Sequence, residues 1–244
     1  FFTTMKKDIV VKNEQLGIHL APSDSVWFPE ETSFLSHSER LYKLLAVKNI
    51  ADTQMCCIPV VVQKASGPLI AFTESDLLDY PGLYLRGAGG GLPVLNSKFP
   101  PYPLEEQLVR DRTMKVSKSA DYIATSKGMR EFPWRVFAIA DKAGDLIEND
   151  IVYRLGSPLK FKETSWIKPG KVAWDWWNAN NIIGVPFKTG INTETYKHYI
   201  DFASRNGIEY VIFDEGWSQP ADLFQINPDM NMDELFAFAA QKKV

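Results

Sequence analysis

The 244-residue chain is 45% hydrophobic and 23% charged, which is enough apolar material for one large core or two modest ones. Its 27 Lys and Arg against 30 Asp and Glu leave a formal net charge of −3, without the basic excess of a nucleic-acid binder. Apolar runs such as 58–62 and 211–213 fall far short of the about 20 residues of a membrane span.

The chain opens Phe1-Phe2-Thr3-Thr4, with no initiator Met and no signal-peptide core, and closes within a helical pattern. Neither end resembles a polar linker, so a piece of a longer protein is expected. The first two-thirds is written in short strands. Residues 8–11, 16–20, 58–62, 69–72, 122–125 and 135–139 are brief strand-like runs, and 16–20 alternates in polarity. Ala21-Pro22-Ser23-Asp24, Ser66-Gly67-Pro68 and Lys142-Ala143-Gly144-Asp145 read as turns between them. Short strands at close spacing predict an antiparallel β-sandwich. Residues 39–45 read as a short helix or a loop with one turn, and 87–102 as a loop. Cys56 and Cys57 are adjacent, have no spaced partner for a disulfide or metal site, and read as packing residues.

The pattern changes near 161–170. Residues 171–177 read as a strand, 193–206 as a helix, 208–213 as a strand and 232–242 as a second helix. Tyr196, Tyr199, Ile200 and Ala203 share one helix face, with Thr193 as the expected N-cap and Gly207 as the stop. The near-continuous apolar run 208–213 predicts a parallel strand buried on both faces. Strand, helix, strand, helix opens a βα array, and the stretch after Trp166 amounts to about a third of the roughly 250 residues of a (β/α)₈ barrel. The expected organisation is a β-sandwich domain over 1–165, followed over 166–244 by the first βα units of a TIM barrel.

Functional groups of such an array gather at the carboxyl ends of its strands. Trp174-Asp175-Trp176-Trp177-Asn178 ends the first strand and Asp214-Glu215-Gly216-Trp217 the second, and these two motifs hold four of the seven tryptophans. Aromatic faces beside carboxylates suit a pyranose: the ring covers C–H surface while the carboxylates accept hydroxyl hydrogens. The alternative is tryptophans in the core and acids as loop caps. Glu74, Asp76 and Asp79 form either a source of hard oxygen ligands for Ca²⁺ or an exposed acidic turn; their spacing is not that of an EF-hand. The run from Gly87 to Gly91 has Leu92 where a dinucleotide loop needs its third glycine, and it lacks the Lys-Ser/Thr of a P-loop. His19, His37 and His198 do not cluster, and no Gly-x-Ser-x-Gly elbow is present.

Together, Trp174-Asp175-Trp176-Trp177-Asn178, the stretch from Gly190 to Ala203, Tyr210-Val211-Ile212-Phe213-Asp214-Glu215-Gly216-Trp217 and the stretch from Glu74 to Leu85 resemble glycoside hydrolase family 97. The resemblance implies an N-terminal β-super-sandwich, a central (β/α)₈ catalytic barrel and a C-terminal β-domain, in a calcium-using enzyme that acts on α-linked glucosides or galactosides. It implies that Glu74 is a calcium ligand reaching from the sandwich towards the barrel's catalytic face, with the other ligands outside this chain. It also implies a catalytic carboxylate pair beyond Val244, so no residue here is assigned a catalytic role. The strand-end motifs resemble the retaining α-galactosidase branch, with Trp174, Asp175, Trp176, Asp214, Glu215 and Trp217 lining the sugar pocket. An inverting α-glucosidase is the alternative within the family; a non-catalytic carbohydrate-binding module is the alternative outside enzymes. The expected partner is an α-galactoside glycan, and the resemblance places the protein in the bacterial periplasm or outside the cell.

Overall fold

Alternation shapes the strand Ser25–Glu31. Val26 and Phe28 turn inward and are fully buried, whereas Trp27 between them faces outward. The computed structural model describes residues 1–110 and 113–244, which divide into two units. One comprises Phe1–Gln107 with Lys115–Leu159; the other comprises Leu108–Met114 with Lys160–Val244.

In the first unit, Ser25–Glu31 is shared by both halves of a nine-stranded antiparallel sheet. Its first part pairs with Tyr42–Ala46 and Val60–Gln63, and outward from the latter follow Leu69–Ser75 and Trp134–Ala140. Its last two residues pair with Met55–Cys57, beyond which lie Tyr84–Gly87, Val94–Lys98 and Gly17–His19. The two halves curl around one apolar core, to which Val26, Phe28, Val62 and Phe72 come from one side and Cys56, Leu85 and Leu95 from the other. Burying each large aliphatic or aromatic side chain contributes about 1.5–3 kcal/mol. Ile9–Val11 pairs with Ala124–Ser126, and Pro103–Leu108 with Met114–Ser119.

Three local expectations are corrected. The expected short helix or loop at 39–45 is irregular only over 39–41: Tyr42–Ala46 is a strand whose backbone groups are satisfied by the neighbouring strand. The stretch 87–102 contains the strand Val94–Lys98, and only Gly89, Gly90 and Gly91, at φ of 71°, 60° and 77°, make the turn that glycine permits. The expected turn at 142–145 instead begins the helix Ala143–Ile147, where the Asp145 carboxylate accepts the Lys142 N–H at 3.2 Å. Cys56 and Cys57 are free and buried, and burial pushes the Cys56 thiol up, away from the reactive thiolate.

In the second unit, Val172–Trp174 and Tyr210–Ile212 run parallel, with Ala173 opposite Val211, and the helix Thr193–Arg205 lies between them in the chain. Asn192 rather than Thr193 caps that helix, its side chain accepting the Thr195 N–H at 3.0 Å. The Thr193 hydroxyl instead donates to the Asp229 carbonyl at 3.1 Å. Past the helix end, Gly207 takes φ 61°, as a C′ stop requires. Tyr196 and Ile200 pack on Met230 and on Leu235 of the helix Met232–Lys242. The expectation that 208–213 is buried on both faces is overturned. The ladder covers Tyr210–Ile212 alone, Tyr210 and Ile212 are exposed, and Val211 and Phe213 pack towards the helix core on one face. A parallel strand is covered on both faces only where two layers flank it, and this unit supplies one. A short hairpin, Ser218–Gln219 with Asp222–Ile226, precedes the second helix.

Candidate functional site

Trp174 is the last residue of its strand, opposite Ile212, so the segments leaving both parallel strands start at the same sheet end. The first becomes a 3₁₀ turn, Asp175–Asn178. Trp174 and Trp176 stack with ring centroids 5.5 Å apart and 25° between planes, and Trp177 meets Trp176 edge-on. All three rings are exposed. They form a surface able to cover the C–H face of a sugar.

Asp175 behaves differently. It is only 1% exposed, and one carboxylate oxygen accepts the Tyr196 phenol, while the other has no partner among the described residues. One helical step on, the Tyr199 hydroxyl donates to Asn178 Oδ1 at 2.7 Å. Two tyrosines three apart on the helix thus hold two residues three apart on the 3₁₀ turn, and fix the base of the tryptophan stack. Burial, the Asp175 bond and then the charges of Asp175 and Asp214 push the Tyr196 phenol well up, so it stays a donor. Asp214 therefore lies within electrostatic reach of the same phenol. The Asp214 carboxylate accepts the Glu215 N–H at 2.8 Å, and Glu215 itself is exposed.

Trp217 joins none of this. It packs against the core of Tyr196, Ile200 and Leu235. Two hollows of about 430 and 580 Å³ flank the unit; apolar side chains dominate both, and neither is lined by Asp175 or Asp214.

Glu74 lies in the first unit, on the strand Leu69–Ser75 directly opposite Arg135. That register brings Arg135 Nη1 to 2.6 Å from Glu74 Oε2, while the Leu83 N–H donates to Oε1 at 3.1 Å. The same guanidinium grips Glu14 with two bonds of 2.7 Å. One guanidinium thus serves two part-buried carboxylates, and burial pushes Glu74, which takes one of its three bonds, above the usual carboxylate range. Asp76 and Asp79 turn elsewhere, Asp76 holding the Ser157 N–H and hydroxyl and Asp79 lying 3.6 Å from Arg130. Among the described residues no three His, Cys, Asp or Glu side chains group as a metal cage. Each Glu74 oxygen has one protein donor, which leaves lone pairs for a single hard cation. Glu74 therefore fits as one ligand among several supplied from elsewhere.

Sequence reasoning missed Tyr196, Tyr199, Arg135 and Glu14. The tyrosines looked like an apolar helix face; their signal is that a buried phenol needs a partner. Arg135 and Glu14 carry no local signal, because they meet across 121 positions.

Residues 1–158 match the family model described as Glycosyl-hydrolase 97 N-terminal, and residues 176–244 match Glycoside hydrolase 97. The chain belongs to glycoside hydrolase family 97. It is 43% identical over 219 residues to a retaining alpha-galactosidase of Bacteroides thetaiotaomicron, covering 87% of this chain and 33% of the relative. It is 30% identical over 129 residues to a probable retaining alpha-galactosidase of Streptomyces bingchenggensis, covering 51% of this chain and 19% of that protein. The chain thus spans a third or less of these curated relatives. Among solved structures it is similar to a family 97 enzyme in complex with acarbose from Pseudoalteromonas sp. strain K8. The TM-score is 0.75 at 22% identity, over 100% of this chain and 36% of the other. A beta-arabinopyranosidase crystal structure also gives a TM-score of 0.75, at 19% identity, over 98% of this chain and 36% of that one. At these identities the likeness is one of fold.

Proposed function

We propose that this chain is part of an exo-acting, calcium-dependent retaining α-galactosidase whose catalytic carboxylates lie outside it. The observation that carries the reading is the shared strand end, where the Trp174–Trp176 stack and the acids Asp175 and Asp214 leave one parallel pair. The 43% identity to a retaining alpha-galactosidase supports the choice of sugar and stereochemistry. In this reading Trp174 and Trp176 cover the galactose C–H face, and Asp214 and Glu215 accept its hydroxyls. Asp175, held by Tyr196, offers its unpartnered oxygen from behind the stack. Trp217 then contributes by fixing the second loop from the core side.

The exposed apolar face of Val172, Trp174, Tyr210 and Ile212 supports a (β/α)₈ barrel, in which further strands and side-chain layers cover it. Calcium, held through Glu74 and ligands from the rest of the protein, would supply electrostatic stabilisation of negative charge. The parent enzyme is proposed to work in the periplasm or outside the cell. No helix among the described residues is long and apolar enough to cross a membrane.

The test is proton NMR of the full-length parent hydrolysing an α-galactoside, read before mutarotation. Initial α-galactose is expected, from a covalent galactosyl-enzyme. Initial β-galactose would put the protein with the inverting branch and overturn the retaining mechanism, and turnover of α-glucosides alone would overturn the choice of galactose. Residues 1–244 alone are expected to show no turnover; measurable hydrolysis would overturn the placement of the catalytic pair.

A further inference from the structure

The first unit carries a polar cleft, of about 340 Å³, built on the sheet edge formed by Gly17–His19. The strand registers place Gly17 opposite Asn96, and Asn96 opposite Arg86, in one cross-strand row. Gly17 has no side chain, so the floor at the end of the row is open. A Cβ there would stand 3.3 Å from His19 Nε2 and 3.5 Å from Asn96 Oδ1.

The rim is pinned from three directions. Arg135 holds Glu14 inward with its two bonds, and the Ser97 hydroxyl accepts the Leu16 N–H at 2.9 Å and donates to the Glu14 carbonyl at 2.8 Å. The Ser97 N–H donates to the Leu16 carbonyl at 2.8 Å. With Glu14 drawn in, its neighbours Asn13 and Gln15 line the cleft and are exposed. The side chains of Asn13, Gln15, Arg86 and Asn96 make no hydrogen bond to any described residue, so three amides and one guanidinium converge with their hydrogen-bonding capacity unspent.

We infer that this cleft binds one carboxylated sugar unit, a hexuronate, with Arg86 receiving the carboxylate. Arg86 is the single charged residue of the lining, so one negative charge balances it, and its planar fork matches a carboxylate with two parallel bonds. The amides offer paired donors and acceptors, as ring hydroxyls require. The lining has no aromatic ring, which separates this site from the stacking surface of Trp174 and Trp176. The volume is at the small end of ligand pockets, about 300–1,000 Å³, and suits one monosaccharide. The inference does not depend on the glycosidase reading.

The test is saturation-transfer NMR titration of the 244-residue chain with D-galacturonate, D-galactose and inorganic phosphate. The two sugars differ only in the carboxylate. Galacturonate is expected to bind, with galactose and phosphate much weaker. Arg86→Gln should weaken galacturonate about tenfold, with Arg86→Lys in between. Arg86 is exposed, so neither change threatens folding. Gly17→Leu, at an extended strand position, should close the floor and abolish binding. Absence of galacturonate binding, equal binding of galactose or phosphate, or indifference to Arg86→Gln would each overturn the inference.

Discussion

At the scale of residues, Tyr196 and Glu74 show how a buried polar group is committed by its partner. Tyr196→Phe keeps the ring against Phe213 but removes the donor from a carboxylate that is 1% exposed. The expected loss is about 1–3 kcal/mol of stability in the second unit, read by urea unfolding through tryptophan fluorescence. Tyr199→Phe should cost less, since Asn178 is exposed; equal costs would deny Asp175 its dependence on Tyr196. For Glu74 the sign follows from its raised value. Between the ordinary 4.5 and that higher value, the folded state holds a proton that the unfolded chain has released. This contribution to stability is complete below 4.5 and is lost as pH rises through the folded value. Glu74→Gln should therefore flatten the dependence of the urea midpoint on pH above 4.5. An unchanged slope would show that the Arg135 pair, rather than burial, sets the carboxyl.

At the scale of elements, the two long helices, Thr193–Arg205 and Met232–Lys242, were legible to within a residue, whereas the short helices Ala143–Ile147 and Ile151–Leu155 were missed and the strands were only partly read. The helix from Thr193 has a 3.6-residue apolar repeat, a polar cap and a glycine stop, all local signals. Its cap still shifted by one residue, because the Thr193 hydroxyl is engaged by the Asp229 carbonyl, 36 positions away. Asn192→Ala should lower stability by about 1 kcal/mol while Asn192→Asp retains it, measured by thermal unfolding at helix wavelengths. No effect of the alanine would return the cap to Thr193. The strand Tyr42–Ala46 was illegible because Tyr42 and Leu44 are exposed and only Leu45 of its leucines packs on the core; the ladder with Ser25–Pro29 holds it. Val94–Lys98 was hidden by the glycines before it, which looked like a long loop and are a tight turn.

At the scale of the whole molecule, the parallel pair is covered on one face only. Val172, Trp174, Tyr210 and Ile212 form a half-exposed apolar row on neighbouring strands, a liability for association when nothing covers it. The isolated chain should self-associate in sedimentation, and Ile212→Lys should reduce that association without changing helix content. A monomeric wild-type chain at high concentration would place the uncovered face outside solvent contact.

The sequence by itself determined the family, the strand-rich first part, the βα pattern of the second, and the two polar-aromatic motifs at the strand ends. These rest on short-range periodicity and contiguous residues, which a linear reading captures. Tertiary structure decided which acids are spoken for. Arg135 meets Glu74 through strand register and Glu14 across the chain, and Tyr196 reaches back 21 positions to bury Asp175. It also turned Trp217 into the helix core and left Asn13, Gln15, Arg86 and Asn96 facing one cleft. The physical reason is common to all of them: a buried charge or phenol is stable only with its partner, and the partner is chosen by distance in space rather than along the chain.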